Sequence, residues 1–135
     1  MATWHDLVRF IEQKYDVILR QPDEVRVRIH FGGADVDEGE RTQITVIARE
    51  NVGGEEWAQI ATPFARTDDV DLAAVLNEIG GTTIVGGVVI MGDHVVLRHS
   101  LPLINLDINE FVEPLELVTG SAELLEELFV GSDDY

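Results

Sequence analysis

Glu24-Val25-Arg26-Val27-Arg28-Ile29-His30-Phe31 decides the architecture. Val25, Val27, Ile29 and Phe31 alternate strictly with Glu24, Arg26, Arg28 and His30, and side chains along a strand point to opposite faces in turn. The stretch is therefore a strand with one buried and one wet face, as antiparallel sheets carry. Upstream, Gln21-Pro22-Asp23-Glu24 reads as a turn with Pro at its second position, and Val17–Arg20 as a short strand. Before them Thr3 caps a helix with Asp6 three residues on, a variant of the capping box. Trp4, Leu7, Val8, Ile11 and Tyr15 fill one arc of roughly 100° on that helix, so Trp4 belongs to the core. Phe10 falls outside the arc, next to Lys14, and is the aromatic best placed as an exposed anchor.

Downstream, Gly32–Arg41 is a polar loop, and Thr42–Glu50 is a strand with Ile44, Val46 and Ala48 expected inward. Gly53-Gly54 is a turn into the strand Glu55–Ala61, which Pro63 is expected to end. Trp57 and Ile60 point opposite ways on that strand unless a bulge intervenes. Asp68 or Asp69 caps a second helix with Leu72, Val75, Leu76 and Ile79 as its stripe, and Gly80-Gly81 stops it. Thr83–Met91 and His94–Leu101 flank Gly92-Asp93, the signal of a two-residue type II′ hairpin. A last helical region runs from Asp107 to about Val130; Pro114 lies in a first turn or kinks a helix, and Ser121 is a second cap if the region is two helices. The order α-β-β-β-β-α-β-β-α predicts an α+β fold: a mostly antiparallel sheet with helices packed on one face, in one domain spanning 1–135.

The hairpin carries the question of function. A two-residue loop fixes the register, so Met91 faces His94 and Ile90 faces Val95. One face then holds Ile84, Val88, Ile90, Val95, Leu97, Leu101 and His99, the last opposite Gly86; this is the expected core face. The other holds Val85, Val89, Met91 and Val96, edged by His94, Arg98 and Ser100. Each of those four apolar side chains would contribute on the order of 1.5–3 kcal/mol if fully buried. The expectation is that a second copy or a client segment covers them; the rival is that the last helix wraps round and does so. Phe10, Val85, Val89, Met91, Val96 and Arg98 are thus the expected partner or dimer interface.

Composition narrows the chemistry. The 135 residues hold 26 acids and 9 bases, a formal charge of −17. Residues 105–135 alone hold nine acids and no base. Phosphate binding needs clustered Lys and Arg, so nucleic acid and anionic membranes are not expected partners. No apolar run approaches the roughly 20 residues of a membrane helix, and no basic start with an apolar stretch marks a signal peptide, so the expected location is cytoplasmic. With no cysteine there is neither a disulfide nor a thiolate site. His94 and His99 point to opposite faces of one strand, and Asp35, Asp37 and Glu40 fail the calcium-loop spacing, so no metal is expected. Neither a nucleophile elbow nor a phosphate loop is present, and Glu110, Glu113, Glu116, Glu123, Glu126 and Glu127 read as a solvated helix face or a dock for a basic partner. No catalytic residue and no cofactor is assigned.

The helix Thr3–Lys14 before a strand-rich middle resembles the YbjN-type domains and the related bacterial chaperones of type III secretion. So do Trp57-Ala58-Gln59-Ile60-Ala61-Thr62-Pro63, the helix Asp69–Ile79, the hairpin Gly92–Ser100, and the acidic terminus Ala122-Glu123-Leu124-Leu125-Glu126-Glu127-Leu128. The resemblance implies a small acidic α+β domain, usually dimeric, that holds a peptide segment of another protein or regulates one, without turnover. A non-enzymatic, chaperone-like homodimer with a protein or peptide client is the leading expectation. An acidic regulatory or immunity-like protein that blocks a basic partner is the alternative.

Overall fold

A computed structural model describes residues 2–31, 41–82 and 85–131. Helix α1 (Trp4–Lys14) leads into strands β1 (Asp16–Gln21), β2 (Glu24–Phe31), β3 (Arg41–Val52) and β4 (Glu55–Arg66). Helix α2 (Leu72–Thr82) crosses to the hairpin β5 (Gly87–Met91) and β6 (His94–Pro102), and helix α3 (Val112–Phe129) closes the chain. The order matches the one read from the sequence. All six strands form one antiparallel sheet in the order β1-β2-β3-β4-β6-β5.

Local chemistry explains the helices. The Thr3 hydroxyl accepts from the Asp6 amide at 3.1 Å, and an Asp6 carboxylate oxygen accepts from the Thr3 amide at 3.2 Å. Hydrogen bonding to the Thr3 hydroxyl, and then to the Thr3 amide, holds the Asp6 carboxyl below the usual carboxylate range. Trp4 is buried, and its indole N–H donates to the Pro22 carbonyl at 2.9 Å, which ties α1 to the β1–β2 turn. The cap of α2 is neither Asp68 nor Asp69. Those two lie in a 3-10 turn, and the Asp71 carboxylate accepts from the Ala73 amide at 3.0 Å. Gly80 and Gly81 do not stop α2, which runs to Thr82, where the hydroxyl donates to the Glu78 carbonyl at 2.8 Å. The last region is a single α-helix entered through a 3-10 turn at Ile108–Phe111. Pro114 is its third residue, where no N–H is required, and Ser121 does not interrupt it.

All three helices send buried side chains into one core: Trp4, Leu7, Val8 and Ile11 from α1, Val75 from α2, and Leu115, Val118, Ala122 and Leu125 from α3. The sheet answers with Val25, Val27, Ile29, Ile47, Ala58, Ile60, Val95 and Leu97. The pairs Val25↔Ile47, Ile47↔Ile60 and Val88↔Leu97 place these residues on a single face. The helices therefore lie together on that face, and α3 does not wrap round to the other.

Two expectations about the central strands are corrected. On β3 it is Gln43, Thr45 and Ile47 that are buried, while Ile44, Val46 and Ala48 sit half-buried on the opposite face. Most of these buried polar atoms are bonded: the Gln43 amide nitrogen donates to the Thr62 hydroxyl at 2.9 Å and to the Pro63 carbonyl at 2.6 Å, and the Thr45 and Thr119 hydroxyls lie 3.1 Å apart, while Gln43 Oε1 has no hydrogen-bond partner among the described residues. Nor does Pro63 end β4, which continues to Arg66. The paired register of β3 and β4 runs only as far as Val46↔Ala61. Beyond it, side chains take over from the backbone ladder, with the Thr62 hydroxyl donating to the Ile44 carbonyl at 3.1 Å, so the missing N–H of Pro63 costs nothing there. A register shift between Pro63 and Ala65 follows.

Candidate functional site

The hairpin register is as expected: Met91↔His94, Ile90↔Val95, Val89↔Val96 and Gly87↔Arg98. Gly92 takes φ +64°, the value the first turn position of type II′ demands. The turn is also anchored: the Asp93 carboxylate receives Arg66 at 2.7 Å, and its carbonyl receives the Thr67 amide at 2.9 Å.

Burial differs from the expectation at three hairpin positions and at Phe10 of α1. Val96 is only 4% exposed, because Pro63 and Val89 flank it on the neighbouring strands. Val85 precedes the strand, beyond Gly86 at φ +96°, and packs against the helix-side core. Ile90 faces the helix side but is 55% exposed, because β5 is the sheet's edge. Phe10 is half-buried against the core with the Lys14 ammonium 5.8 Å from its ring centre, so it is not an exposed anchor. Ile84 and the acidic loop with Asp35, Asp37 and Glu40 lie outside the described residues.

What remains of the outer hairpin face is Val89, half-buried, and Met91, 44% exposed, bordered by exposed Arg98. The face is wider than the hairpin, however. The same side of the sheet carries Ile44, Val46, Ala48, Trp57 and Pro63, all half-buried, because β3 presents its apolar residues there. Ala61 and Val96 are buried on this side without joining the helix-side core. Trp57, whose orientation the sequence left open, pairs with Glu50 and Pro102, and its indole N–H is buried with no hydrogen-bond partner among the described residues.

A second apolar surface escaped the sequence reading. On α3, Leu117, Ser121, Leu124 and Leu128 follow one another at helical spacing on the side away from the sheet. Leu124 is 65% and Leu128 61% exposed. Leu124, Leu125, Leu128 and Ser121 form one wall of an open trough of about 540 Å³, and Glu78 and Thr82 of α2 form the other. The glutamates of α3 divide accordingly. Glu123 and Glu126 are buried, because helical spacing puts Glu126 seven residues beyond Thr119 on the core side. Glu113, Glu116 and Glu127 stay exposed.

One further cleft, of about 410 Å³, is lined by Lys14, Tyr15, Asp16, Arg28, His30 and Glu116. The Tyr15 hydroxyl is buried there with no hydrogen-bond partner among the described residues, and burial, with the Glu116 charge adding to it, pushes its pKa up to about 12. His30 lies 3.2 Å from Asp16, and both side chains are well exposed, so the pair lacks the contrast in environment that separates an acid from a base. His99 is half-buried, paired with Ile60. Among the described residues no group of three or more His, Asp or Glu side chains is placed to hold a metal ion. None of their helices is long and apolar enough to cross a membrane.

No protein-family model matches the chain, and no curated protein matches it either.

Proposed function

We propose that this chain is a non-enzymatic, chaperone-like module that works as a homodimer and holds a segment of another protein. The observation that carries the reading is the order of the exposed apolar side chains. Single exposed leucines are ordinary on a protein surface, but an aligned row beside a trough marks an interaction site. Leu124 and Leu128 line the trough, and Leu117 continues their row along α3. The opposite side of the molecule offers a separate apolar sheet face around Val89 and Met91, which suits a second copy. Val96 drops out of the contact surface because the chain buries it, and Phe10 and Val85 because they pack against the helix-side core, away from the outer sheet face. The resemblance to client-holding dimers set out above supports the same reading.

Isothermal calorimetry against proteins encoded beside this one tests it. A saturable heat with at least one of them is expected, with Leu124→Lys and Val89→Asp mapping which surface it uses. A complete lack of binding partners in that set would overturn the reading.

The regulatory alternative is favoured by one observation: no Lys or Arg occurs after Arg98. It predicts binding that collapses with added salt, whereas client capture by apolar contact persists.

A further inference from the structure

We infer that the trough between α2 and α3 receives a basic amphipathic helix of another protein, with apolar anchors on the leucine row and Lys or Arg side chains along both rims. The inference rests on the reading of the chain as a protein-binding module and adds the chemistry of the partner.

Three features select this occupant. The first is geometry. Leu117, Leu124 and Leu128 run along α3 for roughly 16 Å at about 1.5 Å per residue, so a helix laid alongside meets them with residues at i, i+7 and i+11, all on one of its faces. The second is the kind of wall. Both sides of the trough are α-helices, whose backbone groups are already bonded within the helix, so the site has no free sheet edge for an extended peptide to join. The third is charge. Glu127 lines the trough on the α3 side and Glu78 on the α2 side, and Glu113 and Glu116 stand beside Leu117 further along the row. Neither α2 nor α3 carries a single Lys or Arg. A second copy docked by the same surface would set these carboxylates against their own likenesses, and an anionic bilayer would meet the same repulsion. A helix with leucine-like anchors and cationic flanks fills the trough and neutralises its rims together.

The test uses the full chain and two synthetic helical peptides with identical leucine spacing, one flanked by Lys and Arg, the other by Glu. Fluorescence anisotropy reads the binding. The Lys/Arg peptide is expected to bind saturably and to weaken as salt rises, and the Glu peptide to bind at least about tenfold more weakly. Leu124→Ala with Leu128→Ala is expected to cost at least about tenfold in affinity. Both leucines are exposed, so the fold should survive, and circular dichroism checks that it does. Glu78→Lys with Glu127→Lys is expected to reverse the preference between the peptides. Equal binding of both peptides, indifference to the leucine substitutions, or tighter binding to anionic vesicles than to the basic peptide would overturn the inference. So would self-association of the wild type that Leu128→Lys disperses. A natural client that binds without regard to Leu124 would leave the module reading standing while this inference fell. A bound peptide with no natural client would do the opposite.

Discussion

At the scale of single residues, the buried polar groups say most about how the molecule is held. Tyr15 follows α1 and was readable as the last apolar residue of that helix, but its hydroxyl ends in a buried position that no pattern of hydrophobicity reveals. An ionised phenolate there would be desolvated and would face Glu116, which is why its pKa rises from 10.0 to about 12. The sign of the consequence is fixed by linkage. The folded form favours the neutral phenol, so its contribution is complete below pH 10 and is lost as pH climbs from 10 towards 12. Spectroscopic titration of the phenolate band should show one of the chain's two tyrosines ionising late, and Tyr15→Phe should remove that late phase. The same substitution should also flatten the alkaline decline in stability; a decline of unchanged steepness would mean that other groups drive it. Gln43 teaches a related point. Its side-chain amide makes two hydrogen bonds in the place where the β3–β4 ladder gives out. Gln43→Leu keeps the volume but strands the Pro63 carbonyl, and should lower the unfolding free energy by about 1–3 kcal/mol in urea titrations.

At the scale of elements, signals were legible where one local cause dominated. The capping box set the start of α1, the alternation of β2 set its buried face, and Gly92-Asp93 set the hairpin register. They failed where a neighbour decided. Counting apolar residues on β3 favours Ile44, Val46 and Ala48 as the inner set. Pairing with β2 instead aligns Thr45 with Val27 and Gln43 with Ile29, and the polar pair is tolerated because Thr62, Pro63 and Thr119 supply partners. The leucine row of α3 was missed because the helix carries two apolar stripes, one towards the sheet and one away, and their sum looks like a simple core helix. Glycines divide in the same way between local and tertiary causes. A Cβ on Gly120, inside α3, meets nothing within 4 Å, so Gly120→Ala should stabilise by about 0.5–1 kcal/mol through helix propensity. Gly86 takes φ +96°, and a Cβ there would lie 3.1 Å from the Arg98 carbonyl. Gly86→Ala should therefore destabilise by about 1–2 kcal/mol. Paired urea midpoints check both, and shifts in the same direction would refute the contrast.

At the scale of the whole molecule, the −17 charge is divided between two sides. The register puts Arg26, Arg28, Arg66 and Arg98, four of the nine bases, on the outer face of the sheet, where they offset Asp16, Glu24 and Glu50, while α2 and α3 carry acids and no base. The side with apolar Val89 and Met91 is therefore the side where a second copy meets the least like charge. Two such chains still repel over distance, and dissolved salt shortens that reach to roughly 8 Å at physiological strength. The two proposed contacts must then respond to salt with opposite signs. Self-association through the sheet face should strengthen as salt is raised, because the net repulsion between two acidic chains is screened, while a basic helix on the α3 side should be released. Sedimentation velocity at low and physiological salt reads the first, and Val89→Asp should reduce the sedimenting mass to that of one chain at either strength. Val89 is only half-buried and packs outside the helix-side core, so its replacement tests contact rather than folding. A mass that stays the same in Val89→Asp, or a wild-type dimer that falls apart as salt rises, would place the homodimer contact elsewhere than on the hairpin.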